Sequence, residues 1–260
     1  MKFSCLIGFP VGQSAGQDIY SKIFRNHGIN SRYYAINLHS ENLQGFFEFA
    51  RENLLGFNIT APYKETAAEL VDIKDEVVSA TGSANLVKNI NGKLAGYNSD
   101  YNGFLLLLKN NGIDPEGKKI VIMGSGGAAR TVAYAVKNNY NADVSIASRK
   151  PGREIIPGII SSGYDRVVES DIIINCTPLG MYPDTRMAIP LEKIPSGATG
   201  IDVIYNPLET PFLKAIKLKG GITVNGADMF IGQGMETLKR LYDLSVPYEE
   251  FRDIFYEKIK

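Results

Sequence analysis

The chain has little cysteine, little histidine and no surplus of charge, and each shortage removes a class of function. Cys5 and Cys176 are its two cysteines in 260 residues. They lie far apart in apolar segments, and neither belongs to a CxxC pair. That usage excludes a disulfide framework and predicts buried thiols in a reducing, cytoplasmic setting. Lys+Arg and Asp+Glu both number 28, for a formal net charge of zero. The basic excess with which proteins track nucleic-acid phosphates is therefore missing, although local anion sites remain compatible with a balanced total. His27 and His39 are the only histidines, and neither stands in a metal or triad pattern. His27 reads as a helix-end cation beside Gly28, and His39 as the residue ahead of an N-cap at Ser40. Candidates for nucleophilic hydrolysis are poor, since neither histidine completes a triad pattern, and there is no ligand set for a metal. The run FLLLL (Phe104 to Leu108) is far too short to span a bilayer. The opening MKFSCLIGFP has one lysine and a short apolar run stopped by proline, so no secretory leader is expected. No fixed-period repeat or low-complexity tract occurs.

What is present is an ordinary globular balance, 44% hydrophobic and 22% charged, long enough for one large or two modest domains. The N-terminal part alternates strands and helices: FSCLIG, a helix with Ile19, Ile23 and Phe24 on one face and a stop at Gly28, YYAINL, GFFEFAREN and LGFNIT. A helix is expected at or just after Pro62, where a missing N–H costs nothing. Asn91-Gly92 between two strand-like runs predicts a hairpin, which gives a mixed first sheet with an antiparallel edge. A helix carries Phe104, Leu105 and Leu108, and NNGIDPEGKK reads as a linker. Beyond it KIVIMG, ADVSIAS, DIIINC, TGIDVIY and GITVNG are continuous apolar runs separated by helical or loop segments, the pattern of a parallel sheet covered on both faces. The expected class is α/β with two domains, and the segment from Met229 onward is helical.

The stretch MGSGGAAR lies between a strand and a helix. Gly124, Gly126 and Ala129 fit G-x-G-x-x-A, a dinucleotide fingerprint. Gly124 allows the tight turn, Gly126 lets the backbone approach a pyrophosphate, and Ala129 lets the helix pack close, with its first N–H groups meeting the anion. The second strand of such a unit ends near the adenosine ribose. Where an NAD enzyme places Asp or Glu, this chain reads IASRK, with Ser148, Arg149 and Lys150. A guanidinium grips a 2′-phosphate and a carboxylate repels it, so the expected cofactor is NADP. The alternative is that Arg149 and Lys150 form a solvated loop.

With hydrolysis and metal chemistry lacking candidates, Lys64 in NITAPYKE becomes the candidate proton donor, and Asp100 in GYNSDYNGF the carboxylate that tunes it. Reducing a ketone leaves a developing alkoxide, which a positioned ammonium stabilises or protonates. A neighbouring carboxylate holds the lysine charged. The competing reading of Asp100 or Ser99 is a helix N-cap.

Several motifs together resemble the shikimate dehydrogenase family: GFPVGQSAGQ, NITAPYK, GSANL, GYNSDYNG, GSGGAAR, NCTPLGM, DVIYNPLET and GADMFIGQ, in the family's order over nearly the whole chain. The resemblance implies an N-terminal mixed-sheet substrate domain, residues 1–101, joined by C-terminal helices 229–260, and a Rossmann-type NADP domain over 102–228. It implies NADPH-dependent reduction of 3-dehydroshikimate to shikimate, with Lys64 and Asp100 as the catalytic pair. Lys64, Asn85, Asp100 and Gln233 would meet the substrate hydroxyls, and Ser14, Thr60 and Tyr205 its carboxylate. The cofactor would meet Gly124, Ser125, Gly126, Gly127, Ala128, Ser148, Arg149, Lys150, Thr177, Gly226 and Met229. Such a set suits a small anionic polyol, which needs donors and acceptors around it. Asn85 as a loop residue, Gln233 as helix surface and Met229 as core are the structural alternatives.

The early loop departs from the family: Gly16 stands where a second serine is expected, and Gln17 where proline is. One hydroxyl for the substrate carboxylate is lost, worth roughly ten- to a hundredfold in affinity, and Gln17, Gln13 or water is left to compensate. The departure keeps a paralogue acting on quinate or another cyclic hydroxy acid in play. A non-catalytic NADP-binding regulator is the reading from another class, disfavoured by Lys64 and Asp100. Substrate and cofactor on different domains imply closure to bring the reacting atoms within about 3–3.5 Å. The expected partners are the small-molecule substrate, with neither nucleic acid nor membrane, in a monomer or homodimer.

Overall fold

Short apolar runs with β-branched residues alternate with amphipathic stretches, and the computed structural model, which describes residues 3–12 and 14–259, turns them into two α/β units. The first comprises Met1–Ser99 with Gln233–Lys260, and the second Asp100–Gly232.

In the first unit the elements are β1 (Phe3–Gly8), α1 (Gly16–Asn26), β2 (Tyr33–Asn37), α2 (Leu43–Asn53), β3 (Leu54–Ile59), α3 (Lys64–Leu70), β4 (Ile73–Lys74), α4 (Glu76–Thr81), β5 (Leu86–Ile90) and β6 (Lys93–Tyr97). They build a six-stranded sheet in the order β2-β1-β3-β5-β6-β4. Cys5 and Ile7 of β1 and Phe57 and Ile59 of β3 share one buried face with Phe47 and Ala50 of α2, as the period of two requires. Asn91 and Gly92 both take positive φ, 53° and 88°, the backbone a two-residue hairpin demands. β5 is antiparallel to both β3 and β6. The hairpin does not end the sheet as expected, because β4 pairs parallel to β6 outside it. Two residues are too few to leave an alternation in sequence. α3 starts at Lys64, just after Pro62 as expected. The proline follows a cis bond inside a turn that the Tyr63 N–H closes on the Thr60 carbonyl at 3.1 Å. The reading of Ser40 as an N-cap is corrected: it is the first residue of a 3-10 turn, Ser40–Asn42, with no side-chain cap.

The second unit contains α5 (Ser99–Asn110, of which Ser99 is counted with the first), β7 (Lys119–Met123), α6 (Gly127–Asn139), β8 (Asp143–Ala147), β9 (Glu154–Ile156), β10 (Ile159–Ile160), β11 (Ile172–Asn175), β12 (Thr199–Asp202), α7 (Pro211–Leu218) and β13 (Thr223–Val224). The chain returns to the first unit inside α8 (Ala227–Tyr242) and ends with α9 (Tyr248–Lys258). The five-stranded sheet runs β13-β12-β11-β7-β8, all parallel. Ile120, Ile122, Ile172 and Ile174 face Phe104 of α5 and Val132 and Val136 of α6. Val121, Met123 and Ile173 face Phe212, Leu213 and Ile216 of α7. Both faces are therefore apolar, which is why these strands read as continuous runs. The stretch 110–119, read as a linker, joins α5 to β7 within this unit. The β9–β10 hairpin gave no sequence signal of its own. No described helix is long and apolar enough to cross a membrane.

Candidate active site

In the first unit one edge of the sheet gathers the polar residues. The register pairs Ile7 with Ile59, Asn58 with Leu86 and Leu86 with Tyr97. The exits of β1, β3 and β6 and the entry of β5 therefore lie in one row. Ser14 follows β1, Thr60 and Lys64 follow β3, Asn85 precedes β5, and Ser99 follows β6. Thr60 is fixed by its N–H to the Ile7 carbonyl, 2.9 Å. Lys64 opens α3, and its carbonyl accepts the Ala84 N–H at 2.9 Å, which ties it to the residue before Asn85. A cation gains nothing from the N-terminal end of a helix, so helix stability does not account for this lysine.

Asn85 is buried, and its Oδ1 accepts from both the N–H (2.7 Å) and the Oγ (3.1 Å) of Ser99. A peptide N–H can only donate, so the amide is oriented, and Nδ2 is the group Asn85 has left to offer a hydroxyl. The same two bonds fix the start of α5, whose next residue is Asp100, itself buried. Ser99 thus donates its hydroxyl hydrogen to Asn85. The Asn98 side chain adds a bond to the Ser83 carbonyl, 2.8 Å. Gln233 is placed from the other side of the sequence: Thr237, one turn on, donates to the Gln233 carbonyl (3.0 Å) and accepts from Asn58 Nδ2 (2.9 Å). Asn58 in turn accepts the Tyr33 hydroxyl at 2.8 Å. Asn58 and Thr237 escaped sequence reading; the signal was an Asn inside the otherwise apolar LGFNIT.

Around the early loop, Ser14 Oγ accepts the Gly16 N–H at 3.2 Å. A Cβ at buried Gly16 would sit 3.2 Å from that oxygen. Gln17 Oε1 accepts the Ala35 N–H of β2 at 3.0 Å, which ties it to the outer strand. Gln13 lies outside the described residues.

In the second unit the parallel strands place five loops at one edge, and the loop after β7 occupies the point where the strand order reverses, between β8 and β11. Ligands bind outside the carboxyl ends of strands at such a point. Gly124 has φ +113°, and a Cβ there would lie 3.2 Å from the Cys176 carbonyl. Gly126 is different: an added Cβ would meet nothing within 4 Å. The N–H groups of Gly127, Ala128 and Ala129 precede the first intrahelical bond, Arg130 N to Gly126 O. Ser125 is exposed in the same turn. Ala129 is fully buried under α6, as close helix–strand packing requires. This cradle and its donors fit a pyrophosphate.

After β8, the Ser148 hydroxyl donates to the Lys150 carbonyl at 3.0 Å, so it shapes the turn that presents Arg149 and Lys150, both exposed. Burial pushes the Tyr164 hydroxyl up, with Arg149 close enough to oppose the shift. The overlooked β9–β10 hairpin backs this turn: the Ser148 N–H reaches the Ser162 carbonyl at 2.9 Å, and Arg130 of α6 donates to the Ile155 carbonyl at 2.8 Å. Thr177 gives its hydroxyl to Asn175 Oδ1 (2.7 Å). Gly226 accepts no side chain, since a Cβ would fall 2.1 Å from the Val203 carbonyl. Met229 is buried in the apolar cluster of α5 and α6, and the Tyr205 ring packs tilted against Phe230, with centroids 4.5 Å apart, in this unit. Exposed cations beside an open glycine turn suit a phosphorylated dinucleotide.

Residues 6–87 match the family model described as the shikimate dehydrogenase substrate binding domain. The shikimate dehydrogenase (NADP(+)) of Thermoplasma acidophilum is 40% identical over 98% of this chain and 95% of its own length. A shikimate dehydrogenase crystallised in complex with NADP+ superposes with a TM-score of 0.90 at 33% identity, covering 100% of this chain and 96% of the other. The Thermus thermophilus shikimate 5-dehydrogenase in complex with NADP(H) and shikimate gives 0.90 at 26% identity, over 99% and 100%. The chain belongs to the shikimate dehydrogenase family.

Proposed function

We propose that the protein is an NADP-dependent shikimate dehydrogenase, reversibly reducing 3-dehydroshikimate to shikimate on the route to aromatic amino acids. The observation that carries the reading is family membership along the whole chain, joined to the row of Ser14, Thr60, Lys64 and Asn85 at one sheet edge. Residues 1–101 with 229–260 form the substrate-binding catalytic domain, and residues 102–228 the NADP domain. NADPH, when bound, supplies the hydride. Lys64 supplies the proton to the oxygen of the reduced carbon, with Asp100 as the carboxylate of the acid–base pair. Asn85 Nδ2 and Gln233 hold ring hydroxyls, and Ser14, Thr60 and Tyr205 take the carboxylate. Gly124 to Ala128 cradle the pyrophosphate, Arg149 and Lys150 grip the 2′-phosphate on the turn that Ser148 shapes, and Thr177, Gly226 and Met229 line the nicotinamide side. The protein works in the cytoplasm, as a monomer or homodimer.

Quinate is the second reading, because Gly16 leaves Ser14 without the neighbouring hydroxyl. Steady-state rates with NADP+ and each acid decide. The first reading predicts a kcat/KM for shikimate at least about tenfold above that for quinate, a difference of about 1.4 kcal/mol; the reverse order would move the substrate assignment to quinate.

A further inference from the structure

The ends of β11 and β12 carry two buried polar residues, neither with a part in the chemistry assigned above. Asn175 and Asp202 face each other across the two strands, and neither is exposed at all. Asp202 Oδ1 accepts from Asn175 Nδ2 (3.1 Å) and from the Ile204 N–H (3.0 Å). Its Oδ2 accepts the Thr210 hydroxyl (2.7 Å), and Thr210 caps α7 through the Leu213 N–H. Asn175 passes the arrangement on. Its Oδ1 accepts both the N–H (3.1 Å) and the Oγ (2.7 Å) of Thr177, and its Nδ2 also reaches the Leu179 carbonyl (3.1 Å). Thr177 Oγ then accepts the Leu179 N–H (3.2 Å). All but the last of these side-chain bonds in the turn 175–179 meet on one amide.

Three partners agree on which way this amide points: the Thr177 N–H can only donate and takes Oδ1, the Leu179 carbonyl can only accept and takes Nδ2, and Asp202 anchors the same Nδ2 from the neighbouring strand. An ionised carboxylate only accepts, so Nδ2 must face it and Oδ1 must face Thr177. We propose that Asp202 is a positioning residue for the cofactor: through Asn175 it sets the turn carrying Thr177 in the geometry that binds NADP(H). The proposal rests on the reading that this turn meets the cofactor.

A buried carboxylate is a poor choice for stability alone, since the charged form resists desolvation. Burial pushes Asp202 up to about 6, against the three donors, which favour ionisation. Those that face it, from β11, from the exit of β12 and from the start of α7, are an amide, a hydroxyl and a peptide N–H, and no charged side chain enters its titration. Near neutral pH it is ionised and holds Asn175 in one orientation. Below about 6 it gains a proton, Oδ1 becomes a weaker acceptor, and the constraint on Asn175 relaxes.

The test is the dissociation constant of NADPH, read by its fluorescence on the whole protein between acid and neutral pH. The 2′-phosphate itself titrates near 6, so the readout is the ratio of variant to wild type. Asp202→Asn copies the protonated form at every pH. It is expected to bind NADPH about fivefold more weakly than wild type at neutral pH, the ratio closing toward one at low pH, with KM for shikimate unchanged. Asn175→Ala is expected to weaken binding at least about tenfold. Equal constants for Asp202→Asn and wild type throughout, or parallel profiles at a fixed ratio, overturn the relay. Thr177→Ala separates the two readings. If it weakens binding while Asn175→Ala does not, only the relay fails. If neither weakens binding, the assignment of the turn to the cofactor fails with it.

Discussion

Gly126 and Gly226 are both turn glycines, yet different neighbours demand them. A side chain at Gly226 would collide with the Val203 carbonyl, so the fold itself excludes it. At Gly126 nothing in the protein objects, and the negative φ of −85° is open to any residue. Under the proposed function the reason for glycine there lies outside the protein, in a pyrophosphate that comes close to the backbone. Arg149 is the same kind of residue: exposed and costing the fold nothing to replace. Arg149→Ala should raise KM for NADP+ about 10–100-fold, the worth of a charge-assisted bond to phosphate, and move KM for NAD+ far less. Steady-state titration of both cofactors checks this, and equal effects would detach Arg149 from the 2′-phosphate.

Among elements, the link between β3 and α8 has the clearest consequence. Asn58 and Thr237 are 179 positions apart and share one buried hydrogen bond, which sets the turn of α8 that begins at Gln233. Thr237→Val keeps the shape and removes the acceptor, leaving Asn58 Nδ2 with the longer bond to the Asn85 carbonyl, 3.4 Å. Stability should fall by about 1–3 kcal/mol, and KM for shikimate should rise while KM for NADP+ holds. Chemical denaturation and the two Michaelis constants measure it, and a rise in both constants would mean general damage instead. The contrast shows where sequence stops being legible. The strands of the second sheet were readable because burial on both faces forces continuous apolar runs. The hairpin was readable because Asn-Gly readily takes two positive φ angles in succession. Lys64, Asn85, Asp100 and the glycine turn were readable as local motifs. β4 and β9–β10 were not, because two or three residues carry no period. The pairs Asn58–Thr237 and Asn175–Asp202 were not, because each is made by sheet register and chain return, and no local window contains both members.

At the scale of the whole molecule, equal numbers of acidic and basic groups leave the pH response to individual environments. Asp202 dominates by burial. Its folded value of about 6 lies above the unfolded value of 3.8, so between the two the folded state holds the extra proton, and stability falls as pH rises through that window. Asp202→Asn has no such term. The stability difference between variant and wild type should shift in the variant's favour by roughly 2–3 kcal/mol from the acid to the neutral side. Urea denaturation at the two pH values reads it, and parallel stabilities would deny the buried charge. A carboxylate kept ionised at that cost is consistent with one retained for the turn it holds.

The central claim is that Lys64 performs proton transfer for a hydride exchange between NADP(H) and shikimate. The most direct measurement follows nicotinamide absorbance with NADP+ and shikimate in wild type and Lys64→Ala, alongside NADPH binding by fluorescence. The expected result is turnover in wild type, a kcat about 10²–10⁴-fold lower in the variant, and unchanged NADPH affinity. Wild-type turnover that survives intact in Lys64→Ala would contradict the account.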